Sequence, residues 1–326
     1  MMPGKVPTSR HGVASGILRL AIAAAILVYL FGYVPASQVR AVLGRADLAW
    51  VAAALVLELL TQVLVAMRLR VLTNAYALSL TTFDVFEINL ATRFYGLFLP
   101  GGGATAIAVR AVKLARVKKD HAGAIASIAL DRVVATLALC CVGLAFGLMA
   151  SRPGQSAWLL IMGIAMLGLA TPFGWLLGPR SRSGALAKRL GFGERFHSIR
   201  RIADAMLHIP RNDWGRILGW SLLAQLLGTL EYLAFARSLD LELGFAALGW
   251  IRAVMLLATL VPITISGLGL REGAAVLVLP AYGVGPDAAL AFSLLVFAVG
   301  HVAFGLAGGL LEALALRPRG RARTTH

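Results

Sequence analysis

Acid is scarce in this sequence: 15 Asp and Glu stand against 31 Lys and Arg, a formal net charge of +16 in 326 residues. Charge of either sign is scarce too, at 14%, whereas 59% of residues are hydrophobic against roughly 45–50% in ordinary soluble domains. With a mean hydropathy of +0.81, the chain belongs in lipid. The basic excess would suggest nucleic acid in a soluble protein. Here Lys and Arg fall between apolar runs, as in the inner loops of membrane proteins, so no nucleic-acid partner is expected. Cysteine is nearly missing as well. Cys140 and Cys141 are adjacent within an apolar run, which excludes a disulfide framework or a paired-cysteine metal site and leaves them as small hydrophobes filling a span. Also absent are the H-E-x-x-H, P-loop, G-x-S-x-G and zinc-type cysteine patterns. No catalytic residue, metal or cofactor is therefore expected, and energy for any transport has to come from a gradient, a partner or downhill flow.

What is present is a series of apolar runs. Six reach the roughly 20 residues needed to cross about 30 Å of hydrocarbon: Ile17–Val34, Leu48–Ala66, Ala124–Met149, Trp158–Leu177, Ile217–Ala236 and Ala288–Leu316. The last is long enough to tilt. Lys5 and Arg10 precede the first run as in a signal peptide, but no small-residue cleavage site closes it and more spans follow, so a retained first span is expected. Arg19 lies near enough to its start to snorkel back to the inner surface. Two further apolar regions are broken: Phe83–Val117 at Leu99-Pro100-Gly101-Gly102-Gly103, and Leu248–Tyr282 at Pro262 and at Gly267-Leu268-Gly269.

With the N-terminus inside, 22 Lys and Arg fall on inner segments, among them Arg68, Arg70, Lys118 and Lys119, while Arg40, Arg45, Arg152 and Arg237 fall outside. That asymmetry puts both termini in the cytoplasm. The first broken region, about 82–117, then starts and ends inside; the second, about 248–283, starts and ends outside. The expected fold class is all-α: a polytopic membrane protein with six full spans plus two opposed re-entrant helical hairpins arranged as an inverted repeat. Residues 1–150 form the first repeat and 151–326 the second, which includes a basic cytoplasmic loop, 179–216. The alternative is that both broken regions are kinked helices.

Gly/Pro-interrupted segments at corresponding places in two halves point to a transporter's central site. Irregular backbone at membrane depth requires a cavity, here bounded by the hairpin loops Pro100, Gly101, Gly102 and Gly103, and Pro262, Ser266, Gly267 and Gly269. A helix starting after each loop would aim its positive end into that cavity, which favours an anionic ligand. Arg110, Arg132 and Arg271 lie in or beside apolar runs, where a guanidinium costs about 2.5–3.5 kcal/mol at a span centre. Its planar fork matches phosphate. The competing reading is structural pairing, of Arg271 with Glu272 or of Arg132 with an acid on a neighbouring helix. Asp131, Glu87, Asn89 and Arg93 are further candidates for the site, although Glu87 and Asn89 cannot share a helix face. Glu58, Glu231, Arg252 and His301 are single polar residues in apolar runs; His301 reads as packing, though a group titrating near neutrality would also suit proton coupling. In the inner loop, Phe196, Ile199, Ile202, Met206 and Ile209 recur at helical spacing, as in a helix lying on an anionic leaflet.

The stretch from Arg93 to Gly103, then Arg110-Ala111 and Asp131-Arg132, together with the run from Pro262 to Glu272, resembles the lysylphosphatidylglycerol synthase transmembrane (flippase) family over most of the chain. The P-x-x-x-x-G-L-G-x-R-E element is the more specific. The first element departs from the family form, which has an acid three residues before the arginine; here that residue is Ile107. The resemblance implies a bacterial cytoplasmic-membrane protein that translocates an anionic phospholipid, hopanoid or polyprenyl-linked lipid, with Arg110, Arg132, Arg271 and Glu272 at the site. No soluble aminoacyl-transferase portion is present, so lysyl-lipid synthesis is not implied. The alternatives are a membrane-embedded glycosyl- or acyl-transferase using Glu272 or Asp131 as base, or an accessory subunit of a lipid-synthesis complex. The partners expected are anionic lipids, with a homodimer or a lipid-synthesis enzyme as further options.

Overall fold

The computed structural model describes residues 10–76, 78–99, 102–118, 121–150, 156–177, 209–260, 264 and 267–315. Every regular element among them is helical: α1 Arg10–Tyr33, α2 Ala36–Leu43, α3 Leu48–Ala75, α4 Thr82–Phe98, α5 Gly103–Lys118, α6 His121–Met149, α7 Ser156–Leu177, α8 Arg211–Ser238, α9 Phe245–Ala258, α10 Leu270–Val278, α11 Pro286–Phe297 and α12 Phe304–Ala315. A 3-10 turn, Leu279–Tyr282, follows α10, and a π-helical turn, Ala298–Ala303, joins α11 to α12. In hydrocarbon every backbone amide must be satisfied within its own segment, which is why Ala- and Leu-rich runs take this form.

The boundaries have local causes. Asp47 accepts a hydrogen bond from the Ala49 amide at 2.8 Å and starts α3, and a reciprocal Thr81/Asp84 capping box starts α4. The last residue before Pro100, Leu99, is pushed to an extended φ of −98° and ψ of 148°, so α4 stops there. Gly102 then takes a left-handed φ of 52°, and Gly267 and Gly269 take 74° and 87° before α10, conformations that a side chain would strain.

Among the described residues four helices, Leu48–Ala75, Gly123–Met149, Asn212–Ser238 and Pro286–Ala315, are long and apolar enough to cross a membrane, and a fifth is reached if Ala24–Tyr33 and Ala36–Leu43 count as one bent span. The chain is an integral membrane protein. The first apolar run does not end freely: after Pro35 the chain turns by 88° into α2, which packs against α11. The run from Trp158 to Leu177 lies within the 22-residue α7, where Leu159–Gly168 is a shorter apolar helix. Pro100, Gly101, Pro262, Ser266 and loop residues 179–208 lie outside the described residues. Ile209, expected on a membrane-lying surface, is instead buried with Leu72, Leu130, Val134 and Ile217.

Packing is inside out. On α3 the polar Glu58, Thr61, Gln62 and Arg68 are buried while Leu59, Leu60 and Val63 face outward. The dominant contacts pair α3 with α8, α4 with α12, and α9 with α6; within each broken region α4 meets α5 and α9 meets α10. Small residues allow the closest approaches. A Cβ on Gly308 of α12 would collide with the carbonyl of Leu90 on α4, where backbone cannot yield. Substituting Gly308→Ala should therefore destabilise the protein by about 1–3 kcal/mol, as overpacking does, while Gly273→Ala, which has open space, should not. Thermal unfolding in detergent checks this: a lowered midpoint for the first variant alone is expected.

Candidate functional site

The interior is built on the seam between α3 and α8, each 28 residues long. Arg68 on α3 donates to Ser221 on α8 at 3.4 Å, and Glu58, through Arg93, and Glu231 both approach Gly300. Advancing from 58 to 68 on one helix while retreating from 231 to 221 on the other describes an antiparallel register. Four guanidinium clusters are assembled around this seam, three of which include a residue of α3 or α8.

The first cluster centres on Asp131 of α6. Its carboxylate accepts from Arg68 at 2.8 Å and lies 3.6 Å from the Arg110 guanidinium of α5, which also donates to Asn89 of α4. Asp131 and Arg68 are buried, at 5% and 3% exposure, so each is the other's main stabilisation. Arg110 thus finds its acid on another helix, and Ile107, three residues before it, is exposed. In the second cluster Arg93 of α4 pairs with Glu58 at 2.6 Å and donates to the Gly300 carbonyl of the π-helical turn, while Gln62 donates to the same Glu58 oxygen at 2.6 Å. In the third, Arg252 of α9 donates to Gln225 of α8 at 2.5 Å, its guanidinium lying flat against Gly228, where a Cβ would collide with it. The fourth is fully buried. Arg271 of α10 pairs with Glu272 at 2.6 Å and covers the Phe297 ring at 4.7 Å; Ser293 and the Gly269 amide complete the shell of Glu272 at 3.3 and 2.6 Å.

Several buried hydrogen-bonding atoms are unpaired: Arg110 Nε and Asn89 Nδ2 on the first broken region, Arg271 Nη1, Thr264 Oγ1 and Trp250 Nε1 on the second, and His301 Nδ1 and the Tyr232 hydroxyl on other elements. An unsatisfied buried donor costs about 1–3 kcal/mol. Arg110 Nε and Arg271 Nη1, one from each broken region, are the charged donors among them. At the C-terminal end of α3, Arg70, Asn74, Asp213, Arg216 and Trp220 line an open cleft of about 580 Å³. Among the described residues, no group of three His, Cys, Asp or Glu side chains could hold a metal.

Of the residues singled out in the sequence, Arg110, Asp131, Asn89, Arg93, Arg271 and Glu272 are brought to the interior. Arg132 and Glu87 are not. Both are exposed, because each sits one or two residues from an inward-facing neighbour on a helix that turns about 100° per residue. The pairing of Arg271 with Glu272, one of the two readings kept open, is observed. The start of α10 is not free to receive a ligand, since Glu272 already takes the Gly269 amide. Arg68, assigned by its position to the inner surface, is an interior residue. It was missed together with Ser221 and Gln225; a signal was available in Ser221, Gln225 and Thr229, which recur every fourth residue on one face of α8 and are all buried.

The Asp131 cluster makes a stability prediction. Asp131→Leu should cost about 3–5 kcal/mol by stranding the Arg68 charge, whereas Arg68→Met combined with Asp131→Leu should recover most of that loss. Denaturant unfolding in detergent micelles measures both, and a double variant no better than the single one is the contrary result.

No curated protein sequence matches the chain. The family described as "Lysylphosphatidylglycerol synthase TM region" matches residues 16–308, a span that includes α3 to α11 and every guanidinium cluster above. The chain belongs to that family.

Proposed function

We propose that this protein moves an anionic lipid (a phospholipid, hopanoid or polyprenyl-linked lipid) across the bacterial cytoplasmic membrane. The observation that carries the reading is the pair of unsatisfied guanidinium donors, Arg110 Nε and Arg271 Nη1, one from each broken region of the chain. A phosphate oxygen would satisfy both kinds of donor, and charge-assisted bonds of this type are among the strongest available.

In this reading α4 with α5, and α9 with α10, are re-entrant hairpins entering from opposite faces, and six full crossings with both termini in the cytoplasm complete an inverted repeat. The reciprocal packing favours it: the first hairpin leans on α12 of the second half, and the second leans on α6 of the first half. The cleft carrying Arg70 and Arg216 then opens to the cytoplasmic leaflet and receives the headgroup, while acyl chains follow the exposed Leu and Val faces of α3 and α8. Rocking of the hairpins passes the headgroup along the seam. A transferase reading is less favoured, because Asp131 and Glu272 are both engaged by guanidinium groups and neither is placed as a free base. A second copy of the chain, or a lipid-synthesis enzyme, would be a partner rather than part of the route.

The test is reconstitution in liposomes with a fluorescent anionic phospholipid. Loss of one charge-assisted contact, worth about 1.5–3 kcal/mol, should slow translocation about tenfold or more in Arg110→Gln. The exposed Arg132→Gln should stay within about twofold of the parent protein. Equal rates for Arg110→Gln and the parent would remove the assigned role.

A further inference from the structure

The seam contains a pair that the lipid route does not use. Glu58 on α3 and Glu231 on α8 are buried, at 6% and 5% exposure, and both converge on Gly300: Arg93 ties Glu58 to the Gly300 carbonyl, and a Cβ built on Gly300 would lie 3.5 Å from the Glu231 carboxylate. Two carboxylates brought together away from water repel strongly, and a proton held between them relieves that repulsion. Glu231 then donates to Glu58, whose oxygen accepts in turn from Gln62 and Arg93.

Four of the surrounding elements place a charged or titratable group near this pair. From α4 comes Arg93, which holds Glu58 and the Gly300 carbonyl together. From α9 comes Arg252, close enough to act electrostatically on Glu231. From α8 comes Tyr232, whose ring lies 5.9 Å from the Arg252 guanidinium. The π-helical turn contributes His301, and a Cβ added to its Gly300 would meet Glu231 at 3.5 Å. From α6, Asp131 is engaged by Arg68 ten residues further along α3, so it neither compensates nor opposes the pair directly.

We propose that Glu58 and Glu231 together hold one exchangeable proton and that its binding and release are coupled to lipid movement through Arg93 and Arg252. With the proton bound, the pair carries one negative charge and Arg93 of the first broken region suffices to balance it. With the proton gone, a second negative charge appears, and the nearest additional cation is Arg252 of the second broken region. That guanidinium is held one turn away, donating to the neutral Gln225. Occupancy of the pair by a proton therefore decides whether Arg252, already on the seam, stays with Gln225 or is drawn toward Glu231. This rests on the transport reading for its coupling, though not for the proton itself.

Two measurements on the full chain in liposomes separate those parts. Infrared spectroscopy of the parent protein at about pH 7, a pH at which ordinary carboxyl groups are ionised, should show the C=O stretch of a protonated carboxylic acid. That band should vanish in Glu231→Gln, a neutral isostere that keeps the hydrogen bond, and also in Glu58→Gln. In parallel, translocation of a fluorescent anionic phospholipid by the parent should change about tenfold per pH unit on the limb where proton exchange limits the rate, and Glu231→Gln should flatten that limb to less than about twofold. A parent without the band, or a band that survives both substitutions, overturns the proton site. A band that is lost while the pH profile stays unchanged overturns the coupling. If the parent moves no lipid, the transport reading has failed, and the infrared result alone decides whether the pair holds a proton.

Discussion

A guanidinium inside a hydrocarbon layer has to find an anion or a dipole, and that requirement orders the interior of this protein. Its centre is the antiparallel seam of α3 and α8, where Arg68 meets Ser221, and Glu58, through Arg93, and Glu231 both approach Gly300. Three further arginines approach it on different elements, Arg110 on α5, Arg93 on α4 and Arg252 on α9, each met by a partner on another helix, while Arg271 is met by Glu272 on its own helix. Removing one partner leaves a charge whose desolvation nothing offsets, so the clusters specify helix arrangement more sharply than apolar packing against lipid could.

Backbone constraints supply the rest. The two broken regions exist because Pro100 forces Leu99 out of helix and because Gly102, Gly267 and Gly269 accept left-handed conformations. These interruptions shorten α4, α5, α9 and α10 to between 9 and 17 residues, below the roughly 20 needed for a crossing. Their freed polar groups need cover from protein, and α12 and α6 provide it from the opposite halves of the chain. Glycines at the crossings, such as Gly308 against Leu90 and Gly249 against Phe146, let that cover come close.

Much of this was legible in the residues themselves. Runs without charge mark the long helices, and the proline and glycine interruptions mark both broken regions to within a few positions. The rarity of charge in lipid made Arg110, Asp131 and Arg271 conspicuous. What composition does not contain is which residue meets which. Arg68 sits at the end of an apolar run, where a basic residue ordinarily snorkels to the surface, so its pairing with Asp131, 63 residues later, is invisible until the helices are packed. The same ignorance of helix rotation put Arg132 and Glu87 at the site, although both face outward. Helix-dipole reasoning likewise could not anticipate that Glu272 would occupy the start of α10.

The account stands on the two broken regions returning to the faces from which they enter. Its most direct test is thiol labelling in intact and opened vesicles, in a background lacking Cys140 and Cys141, with the single substitutions Thr82→Cys, Lys118→Cys, Phe245→Cys and Tyr282→Cys. The first two should react with an impermeant reagent from one face and the last two from the other. Reaction of either pair from opposite faces would contradict the account.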